Sequence, residues 1–250
     1  MRGRSIPLST PRRFIADLSW LANRTPIGVI GGRICVARAL AARRAAPKPV
    51  IPVSLLFTKA YAIVARETPE LRRSFVPFPF PHLYEVEQSV ASLMVVRDWH
   101  GEQAVFPARL KDPASRSLRE LAALLDEALK NPPEKSRHFG KLARLSRLPT
   151  LLRRALWLYG FNSGRQRPNY FGTFAVSVLG HLGAEIIFTM SPLTSFVSYG
   201  PFSDDGSVDL KIGFDHRVMD GATIALAIKR LEQILNGEIV AELEEMGVAV

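Results

Sequence analysis

The segment IGFDHRVMDG places one histidine, His216, between a strand-like and a helix-like stretch of the chain. Asp215 and Arg217 flank His216, and Asp220 follows it four residues later. A neutral imidazole is a competent base near pH 7, because the unperturbed pKa of histidine is about 6.5. A lone histidine is nevertheless more often structural than catalytic, and an aspartate directly before a helix is a preferred N-cap. The spacing thus admits two interpretations, proton transfer by His216 or an ordinary polar junction.

The elements on either side of His216 have the clearest patterns in the chain. Alternating apolar residues from Val208 to Phe214 predict a strand with one apolar face, which ends just before the histidine. The segment GATIALAIKRLEQILNG predicts a helix that ends at Asn236-Gly237. Loops at such junctions commonly carry catalytic groups on a rigid frame.

The remaining patterns predict a mixture of helices and strands. Helices are predicted at 5–22, with Ser9, Thr10 and Pro11 as cap and first turn, and at 117–130. PVSLLFTKAYAIVARETPEL predicts a third helix, and the prolines of VPFPFPH exclude regular structure there. Strands are predicted in IGVIGGRICVA, near 90–97 and 104–110, and in TFAVSVLG, AEIIFTM, SFVSYG and VDLKIGF.

The composition is that of a folded protein. Hydrophobic residues make up 47% of the 250 residues and charged residues 22%, which can support a full core. The single cysteine, Cys35, cannot form a disulfide within the chain and lies among apolar residues, so we expect a small buried side chain and a reducing compartment. The N-terminus lacks the apolar core of a secretory signal, and no apolar stretch is long enough for a membrane span. We therefore expect a cytoplasmic protein, with peripheral attachment to the inner face of the membrane as an open alternative.

The excess positive charge, +10 overall, concentrates in a segment at about 131–171. Leucines and Trp157 interleave with its cations, a pattern typical of a basic amphipathic helix on an anionic membrane. A pair of helices packed on their own domain, with arginine stems lying over its surface, fits equally well. Nucleic-acid binding is disfavoured, because the cations form no polar stripe. The cations are Lys135, Arg137, Lys141, Arg144, Arg147, Arg153, Arg154, Arg165 and Arg167.

The segment DHRVMDG, followed by an amphipathic helix, resembles the active-site signature of the acyltransferase core of 2-oxoacid dehydrogenase complexes. That family is related to chloramphenicol acetyltransferase through the pattern His-x-x-x-Asp-Gly. Other segments follow the family's order: PLSTPRRFIADLSWLANRTP resembles its opening helix, and GTFAVSVLG resembles its Gly-Thr-Phe-Thr-Ile-Ser-x-Leu-Gly strand. Together the similar segments span about 7–240. The resemblance implies an α+β fold, a chloramphenicol acetyltransferase-like two-layer sandwich with a mixed sheet and helices on one face. It implies one catalytic domain over 1–250, with the basic segment as an insertion.

The resemblance also assigns roles to three residues. His216 would remove a proton from the acceptor, and Ser177 would donate a hydrogen bond to the tetrahedral intermediate. Asp220 would hold the site in place, through an arginine for which Arg12 and Arg13 are the candidates. In the family the site lies between subunits of a trimer, with the histidine and the serine on different chains, so a homotrimer is implied.

The chain also departs from the family. It contains no lipoyl domain, so we expect a stand-alone acyltransferase without covalently attached lipoate and without a metal. The donor would be a thioester of coenzyme A or of an acyl carrier protein. The acceptor would carry a hydroxyl, amine or thiol, and it could be lipid-like. An acidic carrier protein, or an anionic membrane surface bound through 135–167, would suit the positive charge.

Two other functions are also compatible with the sequence. One is a serine hydrolase built from Ser177, His216 and Asp220, although no G-x-S-x-G segment is present. The other is a non-catalytic, membrane-associated scaffold of the same fold. The other histidines are expected to be structural or solvent-facing, and none is spaced as a metal ligand. They are His82, His100, His138 and His181.

Overall fold

The computed structural model describes residues 3–135 and 139–248, so Arg137 and His138 lie outside the described residues. The helices are α1 (Thr10–Ala22), α2 (Ala37–Ala45), α3 (Val53–Glu67), α4 (Leu118–Lys130), α5 (Phe139–Ser146), α6 (Thr150–Asn162), α7 (Arg167–Tyr170), α8 (Gly221–Asn236) and α9 (Glu238–Val248). The strands are β1 (Ile27–Cys35), β2 (Arg73–Val76), β3 (His82–Glu85), β4 (Val90–Trp99), β5 (Glu102–Lys111), β6 (Phe174–Val176), β7 (Ser195–Tyr199) and β8 (Ser207–Asp215). Short 3-10 turns lie at Pro69–Arg72 and Gly180–Leu182.

Six of these strands form one mixed sheet in the order β1-β8-β7-β6-β4-β5. The central strands β4, β6 and β7 are parallel to one another, whereas the pairs β1–β8, β7–β8 and β4–β5 are antiparallel. Strands β2 and β3 form a separate antiparallel pair. The strand predicted before His216 is confirmed as β8, and the helix after it as α8.

Helices cover both faces of the sheet. Phe174 and Val197 point into the main core, which includes residues of α3 and α8. Ala175 and Phe196, each one position away, belong to a second cluster with residues of α1, α5 and α6. Successive strand residues point to opposite faces, so the two clusters lie on opposite sides of the sheet. The predicted α+β fold with a mixed sheet is confirmed. The helices are not confined to one face, because α1, α5 and α6 cover the second one.

The basic segment packs onto its own domain. Leu142 of α5 and Trp157 and Phe161 of α6 are buried in the second cluster. Arg153 forms a buried ion pair with Asp17 of α1, and Trp157 Nε1 donates a hydrogen bond to Asp17 Oδ2 at 3.2 Å. A cation bound to this buried carboxylate is not available to a lipid headgroup. The packing therefore favours the interpretation of two helices laid on their own domain.

Some apolar side chains of the same segment stay outside the core. Leu151, Leu152 and Tyr159 of α6 are exposed. Binding to an anionic membrane through 135–167 stays a prediction. Among the described residues, no helix has the length and apolar character needed to cross a membrane.

The strand predicted in AEIIFTM is wrong, since residues 184–190 have no regular structure. β7 pairs with β6 on one side and with β8 on the other, and β6 pairs with β4, so the sheet offers this segment no neighbouring edge. Its apolar side chains face outward instead, with Ile187, Phe188 and Met190 exposed.

The prediction of a buried Cys35 is also wrong. Cys35 is the last residue of the edge strand β1, and alternation along the strand buries its neighbour Ile34 and leaves Cys35 exposed.

Candidate active site

His216 directly follows the last residue of β8, a strand that pairs with β1 on one side and with β7 on the other. Its backbone N–H donates to Pro26 O at 2.9 Å, which ties the turn to the segment before β1. The imidazole is 55% exposed, and its ring lies 5.4 Å from the ring of the buried Phe214. The histidine thus combines a fixed backbone with a side chain that a substrate can reach.

A glycine opposite Phe214 makes room for the ring beneath His216. Gly28 of β1 pairs with Phe214 of β8, and a Cβ at Gly28 would lie 2.7 Å from Phe214 Cζ. Gly28, the first glycine of IGVIGG, therefore has a packing function: it leaves space for the Phe214 ring.

Asp215 and Arg217, on either side of His216, form an ion pair. Arg217 Nε donates to Asp215 Oδ1 at 2.9 Å and Arg217 Nη2 donates to Oδ2 at 2.7 Å. Asp215 is fully buried, and its backbone N–H donates to Thr194 O at 2.9 Å. The Arg217 guanidinium lies over the ring of Phe75 at 4.4 Å. The pair fixes the turn that carries His216 against β2 and β7.

A second arginine, Arg167 of the basic segment, is buried near the same carboxylate. It donates to Phe75 O at 2.8 Å and to Pro192 O at 2.6 Å. Burial lowers the pKa of Arg167 to about 10, while the charge of Asp215 acts in the opposite direction. Sequence reasoning assigned no role to Asp215, Arg217 or Arg167. The opposite charges of Asp215 and Arg217 on either side of His216 are visible in the sequence and could have indicated this ion pair.

Asp220 lies beside His216, with Asp220 Oδ1 3.5 Å from His216 Nδ1. It occupies the N-cap position of α8, but its side chain makes no capping hydrogen bond. Among residues 3–135 and 139–248, no arginine forms an ion pair with Asp220. Arg12 Nε donates to Glu102 Oε1 at 2.9 Å, and Arg13 Nε donates to Leu8 O at 3.1 Å. The Asp220 carboxylate is therefore within ion-pairing distance of the imidazole but makes no hydrogen bond to it.

Ser177 follows β6, and its side chain is half-buried. Its backbone N–H donates to Val197 O at 3.1 Å, which continues the pairing of β6 with β7 by one residue. The chain then turns sharply through Gly180, where a Cβ would lie 2.7 Å from Gly200 O. A glycine is needed for this close approach, so Ser177 sits at the start of a fixed turn.

Ser177 and His216 lie at opposite ends of the sheet within one chain. The β6–β7 register places Ser177 beside Ser198, beyond the Val176–Val197 pair. The β7–β8 register places His216 beside Leu193, beyond the Phe214–Ser195 pair. Five positions of about 3.3 Å separate the two levels, or roughly 17 Å, and two strand spacings add about 10 Å sideways. One chain therefore brings His216 and Asp220 together but leaves Ser177 far from them.

The other three histidines that the structure describes do not join this site. His82 Nδ1 lies 2.8 Å from Phe80 O, and His100 Nε2 lies 3.1 Å from Glu134 Oε1. His181 is exposed on the turn after Ser177. In the part of the chain that the structure describes, no group of three or more histidine, cysteine, aspartate or glutamate side chains is placed to hold a metal ion.

Comparison with known proteins places the chain by its fold. No protein-family model and no curated protein matches the sequence. Among solved structures, the chain is similar to a probable dihydrolipoamide acetyltransferase from Listeria monocytogenes 4b F2365, with a TM-score of 0.67 and 17% identity over 98% of this chain and 95% of that one. It is similar to dihydrolipoamide acetyltransferase of Azotobacter vinelandii, with a TM-score of 0.67 and 20% identity over 97% and 94%. The work on that enzyme concerns a serine, a histidine and an asparagine in its catalytic mechanism, the last two four positions apart.

Chloramphenicol acetyltransferase is a more distant match, with a TM-score of 0.54 and 12% identity over 89% of this chain and 94% of that one. The chain therefore has the chloramphenicol acetyltransferase-like fold shared by the catalytic cores of dihydrolipoamide acetyltransferases. The resemblance inferred from DHRVMDG and GTFAVSVLG is confirmed at the level of the fold.

Proposed function

We propose that this protein is an acyltransferase that uses His216 as a general base. The observation that carries the proposal is the exposed imidazole of His216, held at the end of β8 in the fold of acyltransferase cores. The Azotobacter enzyme, studied for a histidine and an asparagine four positions apart, supports the roles of His216 and Asp220, which have the same spacing.

The proposed reaction is a direct transfer of the acyl group. His216 takes the proton of the acceptor's hydroxyl, amine or thiol, and the acceptor atom attacks the carbonyl carbon of a thioester. Ser177 donates a hydrogen bond to the resulting oxyanion. When the intermediate collapses, the carbon–sulfur bond breaks and the protonated His216 returns the proton to the departing thiolate. The products are the acylated acceptor and a free thiol.

Ser177 must come from a second copy of the chain, since roughly 17 Å along the strands separates it from His216 in its own chain. We propose a homotrimer in which each site combines His216 of one subunit with Ser177 of the next. The exposed apolar side chains that follow Ser177 support an interface there, because groups of exposed apolar residues often mark protein–protein contacts. They are Leu182, Ile187, Phe188 and Met190.

We propose coenzyme A or an acyl carrier protein as the thiol that carries the acyl group. Both are anionic, and the net charge of +10 favours their approach. A lipid-like acceptor remains part of the proposal, because the exposed Leu151, Leu152 and Tyr159 offer an apolar surface to an amphiphile.

The distance between Ser177 and His216 within one chain argues against the serine hydrolase alternative. A triad requires Ser177 within hydrogen-bonding distance of His216, and the strand register of one chain holds them far apart. A non-catalytic scaffold of the same fold would release no thiol from a thioester, and the following assay distinguishes it.

The test is release of free thiol from an acyl-coenzyme A or an acyl carrier protein in the presence of an acceptor alcohol or amine. We expect turnover by the wild-type protein and a loss of at least about 100-fold in His216→Ala. His100→Ala is the matched control, because it removes an exposed histidine elsewhere and should keep full activity. Equal activity in both variants would refute the role of His216. Thiol release that does not depend on the acceptor would favour a hydrolase.

A further inference from the structure

A cavity of about 710 Å³ lies at the β5 edge of the sheet, away from His216. It is bounded by β4 and β5, by the basic helices α5 and α6 and by the segment around α7. β5 and β8 are separated by three strands, so the cavity lies roughly 19 Å sideways from the histidine of the same chain. Its volume is that of an ordinary small-molecule site.

Four cations line this cavity, and no acidic residue is among its lining residues. They are Arg109, Lys111, Arg116 and Lys141. Within residues 3–135 and 139–248, none of the four forms a salt bridge, although thirteen such contacts occur elsewhere. Four cations without a salt bridge give the cavity a positive lining, although the carboxylate of Glu120 lies near Arg116.

Of the four cations, Arg109 is the one whose pKa is most affected by burial. Arg109 is half-buried, and this burial lowers the pKa of its guanidinium to about 10. One terminal nitrogen donates to Asn169 O, but the buried Nε makes no hydrogen bond with any described residue. The positive charge of Arg109 has no counter-ion among the described residues, and an anion in the cavity would supply one.

The cavity also has apolar lining residues. Leu142 and Leu145 of α5, Trp157 of α6 and Leu124 of α4 are among them. A free inorganic anion would leave this apolar surface wet, and a neutral hydrocarbon would leave the four cations unpaired. A ligand with both an anionic group and an apolar chain could pair with the cations and also cover the apolar lining residues.

We propose that this cavity binds an anionic amphiphile, a phosphate or carboxylate group carried on an apolar chain. The anionic group contacts Arg109 and its neighbouring cations, and the chain lies along the more exposed apolar lining residues, Leu124 and Leu145. The site is separate from His216 of the same chain, and it does not depend on the acyl-transfer proposal.

The experiment is titration calorimetry of the whole protein with decyl phosphate and with decanoate, below the concentrations at which they form micelles. We expect saturable binding that weakens at least about tenfold in Arg109→Gln and in Lys141→Gln, because each removes a charged partner of the anion. Lys141 is exposed, so Lys141→Gln should fold normally and can still test the proposal if Arg109→Gln fails to fold. Lys229→Gln on α8 makes the same charge change on an exposed residue outside the cavity and should bind as the wild type does.

Four outcomes would overturn the proposal. Inorganic phosphate binding as tightly as decyl phosphate would make the cavity a simple anion site. Decyl maltoside binding equally would make it a neutral apolar groove. Binding only to anionic lipid vesicles, and not to the monomeric ligands, would indicate a membrane surface. Equal weakening in Lys229→Gln would indicate a general effect of net charge.

Discussion

Asp215 and Arg217 form a two-point ion pair across His216, with donor–acceptor distances of 2.9 Å and 2.7 Å. The backbone N–H of Arg217 also donates to Asp215 Oδ1 at 3.1 Å, so one buried carboxylate holds the whole turn. Since His216 lies between the two residues, the direction of its imidazole depends on this charge pair. Asp215 and Arg217 are therefore positioning residues in the proposed site.

The first prediction concerns this pair. Asp215→Asn keeps the size of the side chain but leaves Arg217 without its counter-ion. Breaking a fully buried pair costs about 3–5 kcal/mol, and we expect about 2–3 kcal/mol here because 25% of the Arg217 side chain is exposed. The free energy of unfolding in urea measures the cost. We also expect kcat for acyl transfer to fall more than KM changes.

Asp209→Asn is the control for that variant, because Asp209 is an exposed residue on the same strand, β8. It should change neither stability nor kcat. If Asp215→Asn were as active and as stable as Asp209→Asn, the buried pair would have no part in holding the turn.

The second prediction concerns the glycine beneath the site. Gly28→Ala brings a methyl group to 2.7 Å from Phe214 Cζ, so the ring must move and His216 with it. We expect a loss of about 1–3 kcal/mol in the free energy of unfolding, together with reduced activity. Gly31→Ala on the same strand is the matched variant, since its new methyl group would meet nothing closer than 3.7 Å. Equal melting temperatures and activities of the two variants would contradict the packing argument.

The third prediction concerns the attachment of the basic segment. Asp17→Ala leaves the buried guanidinium of Arg153 without its counter-ion and Trp157 without an acceptor, so we expect a loss of about 3–5 kcal/mol. Arg153→Met in the same protein should recover much of that loss, because the unpaired charge is gone. A double-mutant cycle by urea unfolding measures the coupling. Additive effects would mean that the two side chains do not interact in solution.

Much of the fold follows from local patterns in the sequence. The alternation from Val208 to Phe214 and the helix after it locate His216 correctly, because each is a long periodic element beside a clear turn. Residues 184–190 carry an equally apolar pattern and yet form no strand, since pairing depends on whether the sheet has a free edge. The helix α2 was missed for a different reason. Its nine residues are alanine, arginine and one leucine, so they show no apolar stripe.

The candidate site was predicted in part. Spacing and resemblance select His216 and Asp220, which the structure brings to 3.5 Å. The distance from His216 to Ser177 depends on the register of three strands, which no local pattern reveals. The cavity around Arg109 likewise depends on how distant segments meet, since β5 and α5 are far apart in the chain.

The central claim is that His216 and Ser177 act together only when they come from different chains. The direct measurement is thiol release by protein obtained from co-expression of His216→Ala with Ser177→Ala in equal amounts, each variant being nearly inactive alone. In a randomly mixed trimer, about one site in four draws an intact His216 and an intact Ser177 from its two chains. We therefore expect about a quarter of the wild-type activity. Activity no higher than the mean of the two separate variants would contradict the shared site.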